Sequence, residues 1–368
     1  MAIKYLAGER LIGTAAERTA MTTSATVVSN TSWKELTNGR ATVSGSAVST
    51  ISTGTFAEKD NLMILFHVIE AGGTALTGLH FNDDNSSANY SKADSDNGSA
   101  NGGEVSINTL TGIHKTTSYE AWGYGYIRNK VSGQKHIQIY SMKNNGTGTG
   151  ATVEHRKYFG SWTPDTASHR INKMTLTASG TNLGVDTEIL VLGFDDDEAD
   201  TGTNYWQRLA TDDLSSTSDD LPVSFTAKKY LMIQYHCIPS GGIDIGLRAG
   251  AGGTIDTGSN FVKKEADGYG SFGTQASDTK LPWGKGSGGA NDAHGVGYMV
   301  NRDGSEKMWL SVGQDNGGNG SGNTGAVREA AGKWTNTSQA NIVSLYQQGG
   351  GGYGDLGVGT EITVWGGD

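Results

Sequence analysis

The feature that most constrains this chain is an internal duplication, because a repeated sequence must fold as a repeated structure. Residues 56–73 read FAEKDNLMILFHVIEAGG and residues 225–242 read FTAKKYLMIQYHCIPSGG. Phe56, Leu62, Met63, Ile64, His67, Ile69, Gly72 and Gly73 return as Phe225, Leu231, Met232, Ile233, His236, Ile238, Gly241 and Gly242, at a constant offset of 169. Further on, Tyr126 and Asn129 match Tyr298 and Asn301, and Arg156, Gly160, Trp162 and Thr163 match Arg328, Gly332, Trp334 and Thr335, at offset 172. The closing blocks GVDTEILVLGFD (Gly184 to Asp195) and GVGTEITVWGGD (Gly357 to Asp368) match at offset 173, and Trp33 and Leu36 align with Trp206 and Leu209. The order of blocks is kept throughout, so the chain is a tandem duplication.

Period-2 alternation sets the fold class. Leu62, Ile64, Phe66 and Val68 share one strand face, matched by Leu231, Ile233, Tyr235 and Cys237, while Met63, Leu65, His67 and Ile69 share the other. For KHIQIYS and EKMWLSV, alternation places Ile137 and Ile139 opposite Met308 and Leu310 on the core side at an offset of 171, which predicts turns at Gly133 and Gly304 that differ by one residue. The 56 glycines have no collagen period and disfavour long helices. Many short strands between turn-rich loops, in about 170 residues per copy, predict an all-β chain of two tandem antiparallel β-sandwich domains, jelly-roll-like, with a short N-terminal arm. The expected boundaries are an arm at 1–30, sandwich one at 31–195, an acidic linker at 196–205 and sandwich two at 206–368.

The arm has no counterpart in the second copy. Its apolar residues Ile3, Tyr5, Leu6, Leu11 and Ile12 mark a docking element, with a strand of the first sandwich as the alternative. Charges at Lys4, Glu9 and Arg10 interrupt every apolar run there, so neither a signal peptide nor a membrane span is expected. A balance of 28 basic and 38 acidic residues, net −10, argues against a nucleic-acid partner.

Few residues point to chemistry. His236 and Cys237 are adjacent in a strand, so their side chains leave opposite faces and cannot act as nucleophile and base; Cys237 is expected to be a buried small hydrophobe. His67 and His236 are read as structural or interface residues. Glu188 with Glu361, and Asp195 with Asp368, recur in both copies and so suggest a fold role, accepting turn N–H bonds. Glycine runs at Gly146–Gly150 and Gly317–Gly322 lack the following helix of a phosphate loop and are read as hairpin or surface loops. No catalytic residue, metal ligand or cofactor is assigned. The stretch AWGYGYIRN differs: Trp122, Tyr124 and Tyr126 share a face, whereas HGVGYMVN keeps Tyr298 alone. Tyr126 and Tyr298 are therefore expected in the core, and Trp122 and Tyr124 exposed for a copy-specific contact.

YLMIQYHCIPSGG with its first-copy equivalent, LHFNDDNSSANYSK (Leu79 to Lys92), and a closing pattern of Trp, Ile-x-x-Leu, Gly and G-T-E-I-x-V-x-G together resemble a β-sandwich module of virion structural proteins of tailed phages, of the marine type. The opening IKYLAGERLIGTAAER is similar to N-termini of such proteins. The resemblance implies a non-enzymatic capsid decoration, head-fibre or tail-appendage subunit on the virion surface, made in the host cytoplasm. It implies homo-oligomers, trimers by analogy, and capsid or tail proteins as partners, with no nucleic acid and no membrane. Asn82, Asp83, Asn89 and Tyr90 fall on the module's FN-D-x-x-NY pattern and, with Trp122 and Tyr124, are the candidate ligand residues; GLRAGAGGTIDTGSNF in copy two keeps Leu247-Arg248 and Asn260-Phe261 of that region. The alternative readings are a lectin-like module binding host surface glycans and a self-assembling extracellular filament subunit.

Overall fold

In a computed structural model the described residues are 33–368, without 73, 87–88, 98, 118–119, 132, 165–168, 196–203, 241–242, 268–272, 287–292, 316–326 and 348–353. The docking-arm residues Ile3, Tyr5, Leu6, Leu11 and Ile12, most of the linker and the second glycine run lie outside them. The described chain is all-β. Copy one comprises β1 (Lys34–Thr42), β2 (Thr50–Ser52), β3 (Asn61–Ile69), β4 (Thr74–Phe81), β5 (Tyr90–Asp96), β6 (Ser99–Ile107), β7 (Leu110–Thr117), β8 (Glu120–Arg128), β9 (Lys135–Asn144), β10 (Val153–Trp162), β11 (Met174–Ser179) and β12 (Glu188–Phe194). Copy two comprises β13 (Gln207–Asp213), β14 (Asp220–Ser224), β15 (Tyr230–Cys237), β16 (Ile243–Ala251), β17 (Thr254–Ile255), β18 (Phe261–Asp267), β19 (Gly273–Asp278), β20 (Leu281–Gly286), β21 (Ala293–Val300), β22 (Lys307–Asp315), β23 (Val327–Trp334), β24 (Ile342–Gln347) and β25 (Glu361–Gly367).

Each copy is an antiparallel sandwich of a large and a small sheet. The large sheets run β1-β12-β3-β8-β9-β10-β5-β6 and β13-β25-β15-β21-β22-β23-β18-β19, the same order strand for strand. The small sheets run β2-β11-β4-β7 and, in copy two, β14-β24-β16 with β20 on the same edge as the added β17. Leu62, Ile64, Phe66 and Val68 are buried between the sheets of copy one, and Leu231, Ile233, Tyr235 and Cys237 occupy the same places in copy two. The expected buried role of Cys237 holds.

The two large sheets also pack on each other through their outer faces. Met63, Leu65, Trp122, Tyr124, Met142, Leu190 and Leu192 of copy one meet Tyr230, Tyr298, Val300, Met308, Leu310 and Ala331 of copy two in a third apolar cluster. The layers therefore run small, large, large, small. Each buried side chain of this size contributes about 1.5–3 kcal/mol. Polar contacts close the rim of the cluster. Glu188 accepts Lys229 Nζ at 2.7 Å and the Tyr230 hydroxyl at 2.5 Å. Lys333, fully buried, donates to Asn144 Oδ1 at 2.8 Å, the Gly146 carbonyl at 2.6 Å and Glu306 Oε2 at 2.8 Å, so the hairpin after β9 is held by copy two.

The central layer overturns one register expectation. Lys135 stands opposite Trp162 and Lys307 opposite Trp334, so the offset across β9 and β22 is 172, not 171. Arg128 opposite His136 and Val300 opposite Met308 give turns of equal length; only the left-handed glycine moves by one position, Gly133 at φ 81° and Gly304 at φ 79°. Ile137 is thus equivalent to Trp309, and both face their own core. Met308 and Leu310 are apolar because copy one covers them, and that second buried face defeated the alternation argument.

Recurrent polar residues are spent on the fold. Asn129 bonds the Lys59 and Ile171 carbonyls and the Ile171 N–H, and Asn301 repeats the set on Lys228 and Ala340. Asp195 accepts the Asp60 N–H at 2.8 Å and Asp368 the Lys229 N–H at 3.1 Å, which is the expected role. Glu188 and Glu361 part company: the first is buried between the copies and the second is exposed.

Candidate ligand-binding face

The loop after β4 is a lock. Asn82 and Asp83 sit at φ 53° and 57°, a left-handed pair that Asn and Asp tolerate better than other side chains. Asn82 Nδ2 donates to the Arg170 carbonyl at 2.7 Å, its Oδ1 accepts the Asn172 and Lys173 N–H groups, and Asp83 pairs with Lys173 at 2.8 Å. Asn89 Nδ2 and Trp162 Nε1 both donate to Asp84 Oδ2, at 2.8 and 2.7 Å, and the Tyr90 hydroxyl donates to the Asp84 carbonyl at 2.9 Å. Burial would raise the Asp84 carboxyl, but the Trp162, Asn89 and Ser86 donors hold it below the ordinary carboxylate range.

Copy two rebuilds this lock. Trp334 Nε1 donates to Asp256 Oδ2 at 2.8 Å and Asn260 Nδ2 donates to the same oxygen at 2.9 Å. Asn82, Asn89 and Tyr90 thus hold the loop through Asp84 and the backbone, and Asp83 pairs with Lys173 at an exposed position. The sequence comparison passed over Asp84 and Asp256 because the loops differ in composition around them.

Trp122 and Tyr124 are not exposed: they are 0% and 4% accessible, beneath copy two. Trp122 stacks on Tyr230 with centroids 5.4 Å apart and Tyr124 packs on Tyr298 at 4.3 Å. The contact is specific to copy one, as the pattern suggested, but its partner is the other half of the same chain. The alternating glycines of AWGYGY serve the opposite face. A Cβ on Gly123 would come within 2.2 Å of the Phe66 ring, so large core side chains of neighbouring strands lie under these positions. Tyr126 and Tyr298, expected in the core, lie in this layer, hydroxyl to hydroxyl at 2.7 Å, and burial raises both phenols.

Among the described residues the copies do not cover each other completely, and the parts left open include a groove on each copy. On copy one a cavity of about 430 Å³ is lined by Trp33, Tyr126 and Phe159 with Asn61, Arg128, His136 and Gln138. Tyr126, Gln138 and Phe159 lie side by side on β8, β9 and β10, and Asn61, Arg128 and His136 form the next row. On copy two a cavity of about 590 Å³ is lined by Gln234, His236, His294, Gln314, Glu361 and Thr363 among others. His236 is cross-strand to both His294 and Glu361, and His294 to Gln314. None of the groove residues is a ligand candidate in the sequence: Tyr126 is expected there in the core, His236 as a structural or interface residue and Glu361 in a fold role. What could have flagged them is the uncopied Phe159, an aromatic at an outward strand position.

No family model and no curated protein matches the chain. Among solved structures, the LG1-3 region of the laminin α2 chain aligns with 87% of this chain and 64% of its own length, at 9% identity and a TM-score of 0.20. This chain thus spans under two thirds of that region. The CBM40 of Ruminococcus gnavus IT-sialidase aligns with 43% of this chain and 90% of its own at 6% identity and a TM-score of 0.16. Ail, the attachment invasion locus protein of Yersinia pestis, aligns with 79% of this chain and 100% of its own at 8% identity and a TM-score of 0.12. At TM-scores of this size the likenesses carry no argument about function, and the strand order itself is what establishes an all-β chain of paired sandwiches.

Proposed function

We propose that this chain is a non-enzymatic structural subunit of a virus particle, a capsid decoration, head-fibre or tail-appendage protein carried on the particle surface. The observation that supports it is the central layer: two sandwiches joined face to face by aromatic rings, with ion pairs such as Glu188–Lys229 at the rim, make one block. Recurrent polar residues such as Asn129 and Asn301, and Asp195 and Asp368, are absorbed in locking each sandwich. In this reading the subunit works as a homo-oligomer, a trimer by family analogy, and residues 1–20 dock it on capsid or tail protein. Immunogold microscopy of gradient-purified particles, using antibody to this chain, is expected to label the particle surface. Removing residues 1–20 is expected to abolish incorporation while the melting transition stays in place. Purified particles free of the chain would overturn the reading.

A second reading, recognition of glycans, is favoured by one observation, the aromatic groove on copy one. It is compatible with a surface subunit and does not need one.

A further inference from the structure

The groove on copy one combines two kinds of surface that seldom meet on a sheet face. Phe159 is 49% exposed at the centre of a strand, where an unpartnered aromatic ring loses the benefit of burial. Tyr126 stands two strands away in the same cross-strand row, with Gln138 between them. Neighbouring strands lie about 4.8 Å apart, so the two aromatic positions are separated by about 10 Å. Trp33 packs on Tyr126 with centroids 6.0 Å apart and extends that wall. The Gln138 amide lies between the walls, its Nε2 bonded to the Tyr140 hydroxyl. The adjoining row adds His136 and Arg128, and Arg128 donates to Asn61 Oδ1.

The chemistry of this lining selects its occupant. An apolar helix or strand laid here would strip water from Gln138, His136 and Arg128 without replacing their hydrogen bonds. A compact anion would gain nothing from the rings and would approach a chain of net charge −10. A sugar ring has an apolar C–H face for each aromatic wall and a girdle of hydroxyls for amide, imidazole and guanidinium groups. The spacing of about 10 Å admits one such ring between two aromatic side chains.

We propose that the groove lined by Trp33, Tyr126, Phe159, Gln138, His136 and Arg128 binds one neutral pyranose unit of a glycan chain. The proposal rests on the glycan-recognition reading and adds the site and the sugar class. The equivalent strand positions of copy two carry Tyr298, Leu310 and Ala331, buried under copy one, so the site is not repeated there.

The test is titration of the full chain on an array of neutral hexasaccharides of glucose, galactose, mannose and N-acetylglucosamine, with sialic-acid-terminated glycans as the anionic arm. Tryptophan fluorescence with the best hexasaccharide then gives affinities for Phe159→Ala, Gln138→Ala and His294→Ala, all at outward-facing positions. Binding of a neutral hexasaccharide, weakened about tenfold or more by Phe159→Ala and Gln138→Ala and less than about twofold by His294→Ala, is the expected result. Binding that survives both groove substitutions overturns the site and leaves glycan recognition standing. Binding restricted to the sialylated glycans overturns the neutral sugar class. Absence of binding to every array member overturns the site and the glycan reading together.

Discussion

One row of side chains crosses the outer face of each large sheet at equivalent positions. In copy one it reads Glu188, His67, Trp122, Met142, His155; in copy two Glu361, His236, His294, Gln314, Val327. The first row is buried, with every member at 3% exposure or less. In the second, Glu361, His236, His294 and Gln314 are exposed. The backbone is the same in both. What differs is whether another sheet lies on top, and at the middle of the row the side chains have followed the cover: Trp122 and Met142 under it stand where His294 and Gln314 lie in the open, while the histidine of the neighbouring strand is kept in both copies as His67 and His236. A duplicated fold has here been divided into a joining face and a free face without a change of topology.

The sharpest way to break this comparison is to truncate the equivalent pair Trp122 and His294. Trp122→Ala removes a fully buried ring stacked on Tyr230 and is expected to cost about 3–5 kcal/mol in denaturant unfolding. His294→Ala lies on an exposed face and is expected to change stability by less than about 0.5 kcal/mol. Similar costs for the two would mean that the copies do not join through this face.

The same row supplies a pH test. Burial, with help from Lys157 and Lys264, pushes the His155 imidazole down to about 3. Its folded value lies below its unfolded value, so between about 6.5 and 3 the unfolded chain binds the extra proton. The stabilisation is present in full above 6.5 and is lost as pH falls, at about 1.4 kcal/mol per pH unit. Glu188 has the opposite charge type: burial works against its ionised form, but Lys229 and Tyr230 hold its carboxyl below the usual range. Its contribution stays whole above about 4.5 and is lost only at lower pH, so unfolding free energies measured from pH 7 to 4.5 leave this carboxylate out of the slope. His155→Val, which installs the residue of copy two, is expected to remove most of the slope. The remainder belongs to groups such as His80, also lowered by burial. An unchanged slope in His155→Val would show that the imidazole is not held neutral under copy two.

Where the copies agree, substitutions should agree as well. Asp84→Ala and Asp256→Ala each remove the carboxylate that takes a tryptophan and an asparagine donor. Each is expected to cost about 1.5–3 kcal/mol, because the donors lose a charged acceptor. Costs differing by more than about twofold would mean that the lock is not shared.

These pairs also explain what could be read in advance. The duplication, the strand faces of β3 and β15, and the turn-binding role of Asp195 and Asp368 were legible because they depend on each sandwich alone. Trp122, Tyr124, Met308 and Leu310 were misread because they depend on the other copy: a strand buried on both faces loses the alternation that tells core from surface. The loop-holding bonds of Asn82, Asn89 and Tyr90 were not legible, because polar residues that lock a loop and polar residues that hold a ligand look alike in one sequence. The groove residues were not legible as a set, since Asn61, Tyr126, Gln138 and Phe159 come from four strands and meet only through sheet order.

The smallest expected effect sharpens the comparison at a polar contact that equivalent residues make with each other. Tyr126 and Tyr298 are counterparts, and their hydroxyls meet at 2.7 Å between the sheets. Each has been raised by burial, so both stay neutral phenols at ordinary pH and one donates to the other. Tyr126→Phe removes half of this pair and leaves the Tyr298 hydroxyl, on a residue only 5% exposed, without that partner; the expected cost is about 1–1.5 kcal/mol. Changing both to Phe removes the orphan as well as the bond, so the double variant is expected to cost no more than the single. A double-mutant cycle read by chemical denaturation would therefore return a coupling of about 1 kcal/mol. Strict additivity would place the two hydroxyls in separate environments and remove this contact from the joining face.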